Sequence, residues 1–122
     1  MNKTFLVIAS ISGFLAVAIG AFGAHGLKPH LTAEAMQWFE TGSRYHFYHT
    51  FALLAIALLM KDDFKLLRYA GFAFLTGILL FSGSLYIMAV TGITKLGMIT
   101  PIGGVAFLAG WVMMIAYGTK RL

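Results

Sequence analysis

The chain has no cysteine and, in 122 residues, only four acidic side chains, nine Lys and Arg, and two prolines. Without cysteine there is no disulfide framework, no thiolate metal site and no thioether-linked haem. Charged residues are 11% of the chain, 60% are hydrophobic, and the mean hydropathy is +0.86. An average soluble domain is roughly 45–50% apolar and about 25% charged, so too little charge is left here to cover a water-facing surface. The same scarcity excludes disorder, which needs low hydrophobicity and high charge. The length allows one domain. The net charge of +5 is scattered through short polar segments and forms no stripe. It reads as juxtamembrane charge facing anionic headgroups, and nucleic acid is not expected as a partner.

What remains is four stretches free of Asp, Glu, Lys and Arg: Thr4 to Gly26, Tyr45 to Met60, Tyr69 to Thr94, and Leu96 to Thr119. A helix needs about 20 predominantly apolar residues to cross a hydrocarbon core of about 30 Å, and the first, third and fourth stretches supply them. The second climbs only about 24 Å at about 1.5 Å per residue. It is extended by the residues before it: Pro29 and Thr32 form a helix-start signal, and Met36, Trp38 and Phe39 alternate with Glu34, Gln37 and Glu40 in an interfacial amphipathic pattern. Thr32 to Met60 therefore reads as one long element with its bend at Gly42. The other proline, Pro101, sits in the first turn of the fourth helix, where its missing N–H costs little.

The expected fold is an all-α integral membrane protein, a single four-helix transmembrane domain over 1–122. Its spans are at about 4–25, 43–60, 67–91 and 97–118, with an interfacial helix at about 32–43. The first span resembles a secretory signal, with Ala21, Gly23 and Ala24 near a possible cleavage point. Its apolar run exceeds the roughly 7–15 residues of a signal core, so it reads as a retained helix. Lys3, Lys61, Lys65, Arg68, Lys120 and Arg121 fall on one side of four spans, and Lys28, Arg44 and Lys95 on the other. This excess puts both termini in the cytoplasm of a multi-pass plasma-membrane protein.

Lipid tails are as apolar as Leu, so close backbone approach has to bring the helices together. Ser12, Ala16, Gly20 and Ala24 repeat every four residues and make one smooth stripe. Thr100, Gly104, Ala106 and Gly110 in the fourth helix, and Ala73 and Gly77 in the third, offer matching small surfaces. Such stripes are expected to be packing seams within one chain, and they serve a homo-oligomer equally well.

The polar residues inside the apolar stretches gather towards one leaflet. His25 ends the first span, Tyr45, His46, Tyr48 and His49 open the second, Ser82, Ser84 and Tyr86 lie in the outer part of the third, and Thr100 opens the fourth. His25, Tyr45, His49, Ser82, Ser84, Tyr86 and Thr100 form the candidate pocket. An intramembrane histidine is a functional-site hypothesis by default, although satisfied polar packing is the commoner outcome. His25 and His49 are the candidate ligands for a metal or haem if one is bound, and no cofactor follows from the residues. No spacing motif supports zinc, and no embedded carboxylate is present to orient a serine hydrolase base or to build an acidic ion relay.

Ser12-Gly13-Phe14, Gly20-Ala21-Phe22-Gly23-Ala24-His25, Thr41-Gly42 with Tyr45 and His49-Thr50, Phe81-Ser82-Gly83-Ser84-Leu85-Tyr86, and Thr100-Pro101 with Gly103-Gly104 and Phe107-Leu108-Ala109-Gly110-Trp111 form five ordered blocks. Together they resemble the small four-helix membrane family of domain of unknown function 423, related to transmembrane protein 256 of animals. The resemblance implies an intact four-helix membrane protein and brings no settled activity. The family typically has Gln after Tyr45 where this chain has His46, so no ligand role is carried to His46.

The expected function is that of a non-enzymatic structural or accessory membrane component, in contact with lipids, with itself or with a larger membrane complex. The alternatives are a haem-, metal- or small-ligand-binding protein using His25 and His49, and a small transporter or lipid handler.

Overall fold

Asn2 begins the first helix by capping it: its side-chain oxygen accepts from the Phe5 backbone N–H at 3.0 Å, satisfying one of the donors a helix start leaves free. Helix α1 runs Lys3–Phe22 and continues through a single wide π turn, Gly23–Leu27, and a 3-10 turn, Lys28–His30. Thr32 caps α2 in the same way, accepting from Ala35 N–H at 3.1 Å, and α2 runs unbroken through Gly42 over Ala33–Leu59. Helix α3 (Lys65–Gly77) passes through a second π turn, Ile78–Ser82, into α4 (Gly83–Thr91). These three form one rod, Lys65–Thr91. Gly92 ends it at φ 73, a left-handed cap that glycine adopts without a Cβ penalty. A 3-10 turn, Thr94–Met98, leads into α5, Thr100–Arg121. The computed structural model describes residues 1–61 and 64–121; Asp62, Asp63, Leu122 and the side chain of Arg121, which enters the charge count above, lie outside the described residues.

The fold is all-helical among the described residues. Three segments are long and apolar enough to cross a membrane, Lys3–His30, Lys65–Thr91 and Thr94–Lys120, with mean hydropathies of 2.4, 2.0 and 1.9. Helix α2 has the length, and it carries Glu34, Glu40 and Arg44 in its first half. The outward faces are greasy: Phe14 is 73% exposed and Leu108 66%. In water such continuous apolar surface would be a liability; against lipid it is the ordinary condition.

The helices form two close pairs, α1 with α2 and α3 with α5, joined where α2 packs along the α3–α4 rod. The main core gathers Phe5, Leu53, Ile56, Leu67, Phe74 and Phe107, and its lower part lies at the end of the bundle that holds the N-terminus. A smaller cluster of Ala35, Phe39 and Ala89 closes the other end.

Phenylalanine rings seated on glycines recur through this packing. A Cβ at Gly23 would collide with the Phe39 ring, at Gly71 with Phe5, at Gly77 with Phe107, and at Gly110 with Phe74; at Gly103 it would strike the Phe81 backbone. Of the small residues in the sequence-level stripe, Ser12 and Ala16 are buried, Gly20 is partly buried and Ala24 is exposed. A Cβ at Gly20 would meet only Ser43 Oγ, at an ordinary 3.5 Å. In α5 the close approach falls on Gly103 and Gly110, while a Cβ at Gly104 would find its nearest neighbour, the Phe81 ring, 3.8 Å away.

Candidate functional site

Three polar clusters cross between helices. In the first, Ser12 Oγ on α1 and Thr50 Oγ1 on α2 are hydrogen-bonded at 2.6 Å. His46 Nε2 meets the same Ser12 Oγ at 3.1 Å, and His46 Nδ1 meets the Tyr86 hydroxyl on α4 at 2.9 Å. A neutral imidazole has one donor and one acceptor nitrogen, so this ring is saturated by two hydroxyls from two different helices. His46 is the middle residue of α2, and it is buried.

The second cluster has a determined proton arrangement. His49 Nδ1 lies 2.8 Å from the Tyr45 carbonyl oxygen, which only accepts, so Nδ1 carries the hydrogen. Trp111 Nε1–H on α5 donates to His49 Nε2 at 3.1 Å, and indole only donates. Both contacts require the same neutral Nδ1–H tautomer. Phe107 stacks on the imidazole with ring centroids 3.6 Å apart and 8° between planes, and Phe74 packs at 5.5 Å.

The third cluster ties the rod to its neighbours. Ser82 Oγ, at the end of the π turn, donates to the Gly42 carbonyl of α2 at 2.7 Å. Ser84 Oγ donates to the Phe81 carbonyl at 2.9 Å and is hydrogen-bonded to Thr100 Oγ1 of α5 at 2.6 Å. Gly42 suits this close crossing, since a Cβ there would come within 3.3 Å of the Ser82 carbonyl oxygen. Among the described residues no buried side-chain nitrogen or oxygen lacks a partner.

Of the sequence-level candidates, Tyr45 and His49 fall in the second cluster, Tyr86 in the first, and Ser82, Ser84 and Thr100 in the third. His25 stands apart. It is exposed, two residues beyond Gly23, which is seated on Phe39; Phe39 and His49 are separated by about 15 Å along α2 at about 1.5 Å per residue. The structure therefore does not bring His25 and His49 to one site, and among the described residues no group of three His, Asp or Glu is placed to hold a metal ion.

The sequence pattern assigns no ligand role to His46, reads Ser12 as a small packing residue, and gives Thr50 and Trp111 no hydrogen-bonding part, whereas the structure joins all four to the polar clusters. The available signal is spacing: Ser12 and Thr50 carry hydroxyls within apolar stretches, and His46 precedes Thr50 by one helical turn. Beside the second cluster an open cleft of about 720 Å³ separates α2 from α5, lined by Tyr45, Tyr48, His49, Phe81, Phe107 and Trp111 among others.

Residues 19–104 match the family described as protein of unknown function (DUF423). The chain belongs to the DUF423 family. It is 47% identical over 121 residues to a UPF0382 membrane protein of Haemophilus influenzae, covering 99% of this chain and 97% of that one. It is 43% identical over 122 residues to the UPF0382 membrane protein YwdK of Bacillus subtilis, covering 98% and 99%. To the UPF0382 inner membrane protein YgdD of Escherichia coli it is 44% identical over 122 residues, covering 99% and 92%. No solved structure matches the chain. The DUF423 chain is thus a membrane protein of a family without an assigned function, and the sequence-level resemblance agrees with this membership.

Proposed function

We propose that this DUF423 protein is a non-enzymatic, four-span component of the plasma membrane, structural or accessory to a larger assembly, whose polar clusters clamp its helices in register. The observation that carries this reading is the saturation of His46 and His49. Each imidazole spends both nitrogens on neighbouring groups of the fold, which leaves neither base free to take a proton from a substrate or to ligate a metal.

The fourth span is the second part of α2, about residues 43–60, with the Glu34- and Glu40-bearing first part at the interface. Exposed Arg44 supports that depth, because a guanidinium is costly near the bilayer centre. The excess of Lys and Arg at the end holding Lys3, Lys61, Lys65 and Lys120 supports an orientation with both termini in the cytoplasm.

Protein purified in native lipid tests the reading. The expected material is colourless, carries metal only at background level, and migrates as an assembly larger than the 13.3 kDa chain. A Soret band, or metal near one equivalent that disappears in His49→Ala, would overturn it.

The α2–α5 cleft favours a second reading, in which a small apolar molecule enters from the bilayer and lies against Tyr45, Phe107 and Trp111. Mass spectrometry of the nanodisc-purified protein would find such a molecule at a fixed ratio to the chain and lose it in Gly104→Phe, which fills the cleft.

A further inference from the structure

Lys65 is the first residue of the span Lys65–Thr91, and Lys120 is the last of the span Thr94–Lys120. Because α3 packs against α5 with the chain running in opposite directions, the start of one span and the end of the other meet at one end of the bundle. There Lys65 and Lys120 line a cleft of about 510 Å³ together with Phe64, Leu66 and Tyr69. Both lysines are exposed and, among the described residues, neither is engaged in an ion pair. In the sequence around this end, Lys61, Lys65, Arg68 and Lys120 outnumber Asp62 and Asp63. The cleft wall is aromatic: Phe64 packs edge-on against Tyr117 at 5.4 Å, and Tyr69 is 55% exposed. One turn or less further along α3, beyond the cleft lining, Phe72 is exposed while its ring edge meets Phe5 of α1 at 5.4 Å, and it adds apolar surface towards the middle of the span.

Two cations at the mouth and a greasy wall running inward describe an amphiphile with an anionic head. Basic clefts between membrane helices at the headgroup level attract such lipids, and tyrosine is at home at the same depth. We propose that the Lys65–Lys120 cleft is a binding site for an anionic glycerophospholipid, its phosphodiester between the two ammonium groups and an acyl chain along Tyr69 and Phe72. Lysine suits a headgroup that must exchange with the surrounding bilayer, since it offers a flexible point charge and no fixed fork.

The test is native mass spectrometry of the full chain in detergent with added phosphatidylglycerol or phosphatidylcholine. Wild type should retain phosphatidylglycerol about tenfold more than phosphatidylcholine. The Lys65→Gln/Lys120→Gln pair should lose that preference, while Lys65→Arg/Lys120→Arg keeps it. Lys28→Gln/Lys95→Gln removes the same charge at the opposite end and should also keep it. Circular dichroism on each variant establishes that the helices remain. Equal retention of both lipids by wild type would overturn the proposal, as would an equal loss in the Lys28/Lys95 pair. Displacement of the lipid by millimolar inorganic phosphate would also overturn it, since the site would then hold the anion alone.

Discussion

Trp111 and His49 are joined by a hydrogen bond of 3.1 Å from the indole N–H to the imidazole Nε2, and this contact spans the open cleft side of the bundle between α5 and α2. It fixes the His49 tautomer, because the opposite nitrogen faces a carbonyl oxygen. The imidazole is thereby held as a spacer, flat against Phe107. In a nitrogen NMR spectrum of the protein in detergent, His49 should show a protonated Nδ1 and an unprotonated Nε2. Trp111→Phe should shift the Nε2 resonance and lower stability by about 1 kcal/mol, the scale of a single interhelical hydrogen bond in a membrane bundle. An Nε2–H tautomer in wild type would contradict the arrangement.

His46 and His25 should behave in opposite ways. His46→Ala removes the ring shared by Ser12 and Tyr86; Ser12 keeps Thr50, while the Tyr86 hydroxyl loses the imidazole, and an unsatisfied buried group costs roughly 1–3 kcal/mol. A clear fall in the thermal midpoint in detergent is expected. His25 is exposed, and His25→Ala should leave the midpoint within error. The reverse ranking would mean that the first cluster does not bear on stability.

Glycine substitutions separate seats from spacers. Gly103→Ala and Gly110→Ala push a Cβ into the Phe81 backbone and the Phe74 ring and should destabilise by roughly 1–3 kcal/mol through overpacking. Gly83→Ala and Gly118→Ala meet nothing within 4 Å. These two should be neutral or should stabilise by up to about 1 kcal/mol, since glycine costs backbone entropy in a helix. The check is SDS titration of the four variants side by side.

The proposed orientation is open to cysteine labelling, free of background because the chain has no cysteine of its own. Single cysteines at Lys61 and Lys120 should be shielded from an impermeant thiol reagent added outside intact cells, and one at Lys28 should label. The opposite pattern would invert the topology.

Much of the fold was legible in composition. Long runs without charge mark three spans directly, and the start signal at Thr32 is the cap of α2. Tyr45, His49, Ser82, Ser84, Tyr86 and Thr100 were legible as candidates, because hydroxyls and imidazoles are few in such runs, while His25 stands apart from them. Their pairing was not. Ser12 and Thr50 are 38 residues apart and His49 and Trp111 are 62, and nothing local says which faces meet. The π turns at Gly23–Leu27 and Ile78–Ser82 also rotate the residues beyond them relative to a regular helix. The stripe at every fourth residue also drifts by about 40° per step on a helix of about 3.6 residues per turn, so Gly20 is only partly buried and Ala24 is exposed. The seats at Gly23, Gly71 and Gly103 were hidden for a related reason: a glycine acquires its meaning from the ring that lands on it, and the ring belongs to another helix.

A double-mutant cycle on Ser12→Ala and Thr50→Val, read by SDS-induced unfolding, tests most directly whether the buried polar groups act as struts between helices. Thr50→Val keeps the shape of the side chain and removes only its hydroxyl. With Ser12 Oγ and Thr50 Oγ1 at 2.6 Å, the two substitutions should couple by about 0.6 kcal/mol or more, up to about 1.7, the average and the maximum found for interhelical hydrogen bonds in a membrane protein. Effects that simply add, within about 0.3 kcal/mol, would contradict it.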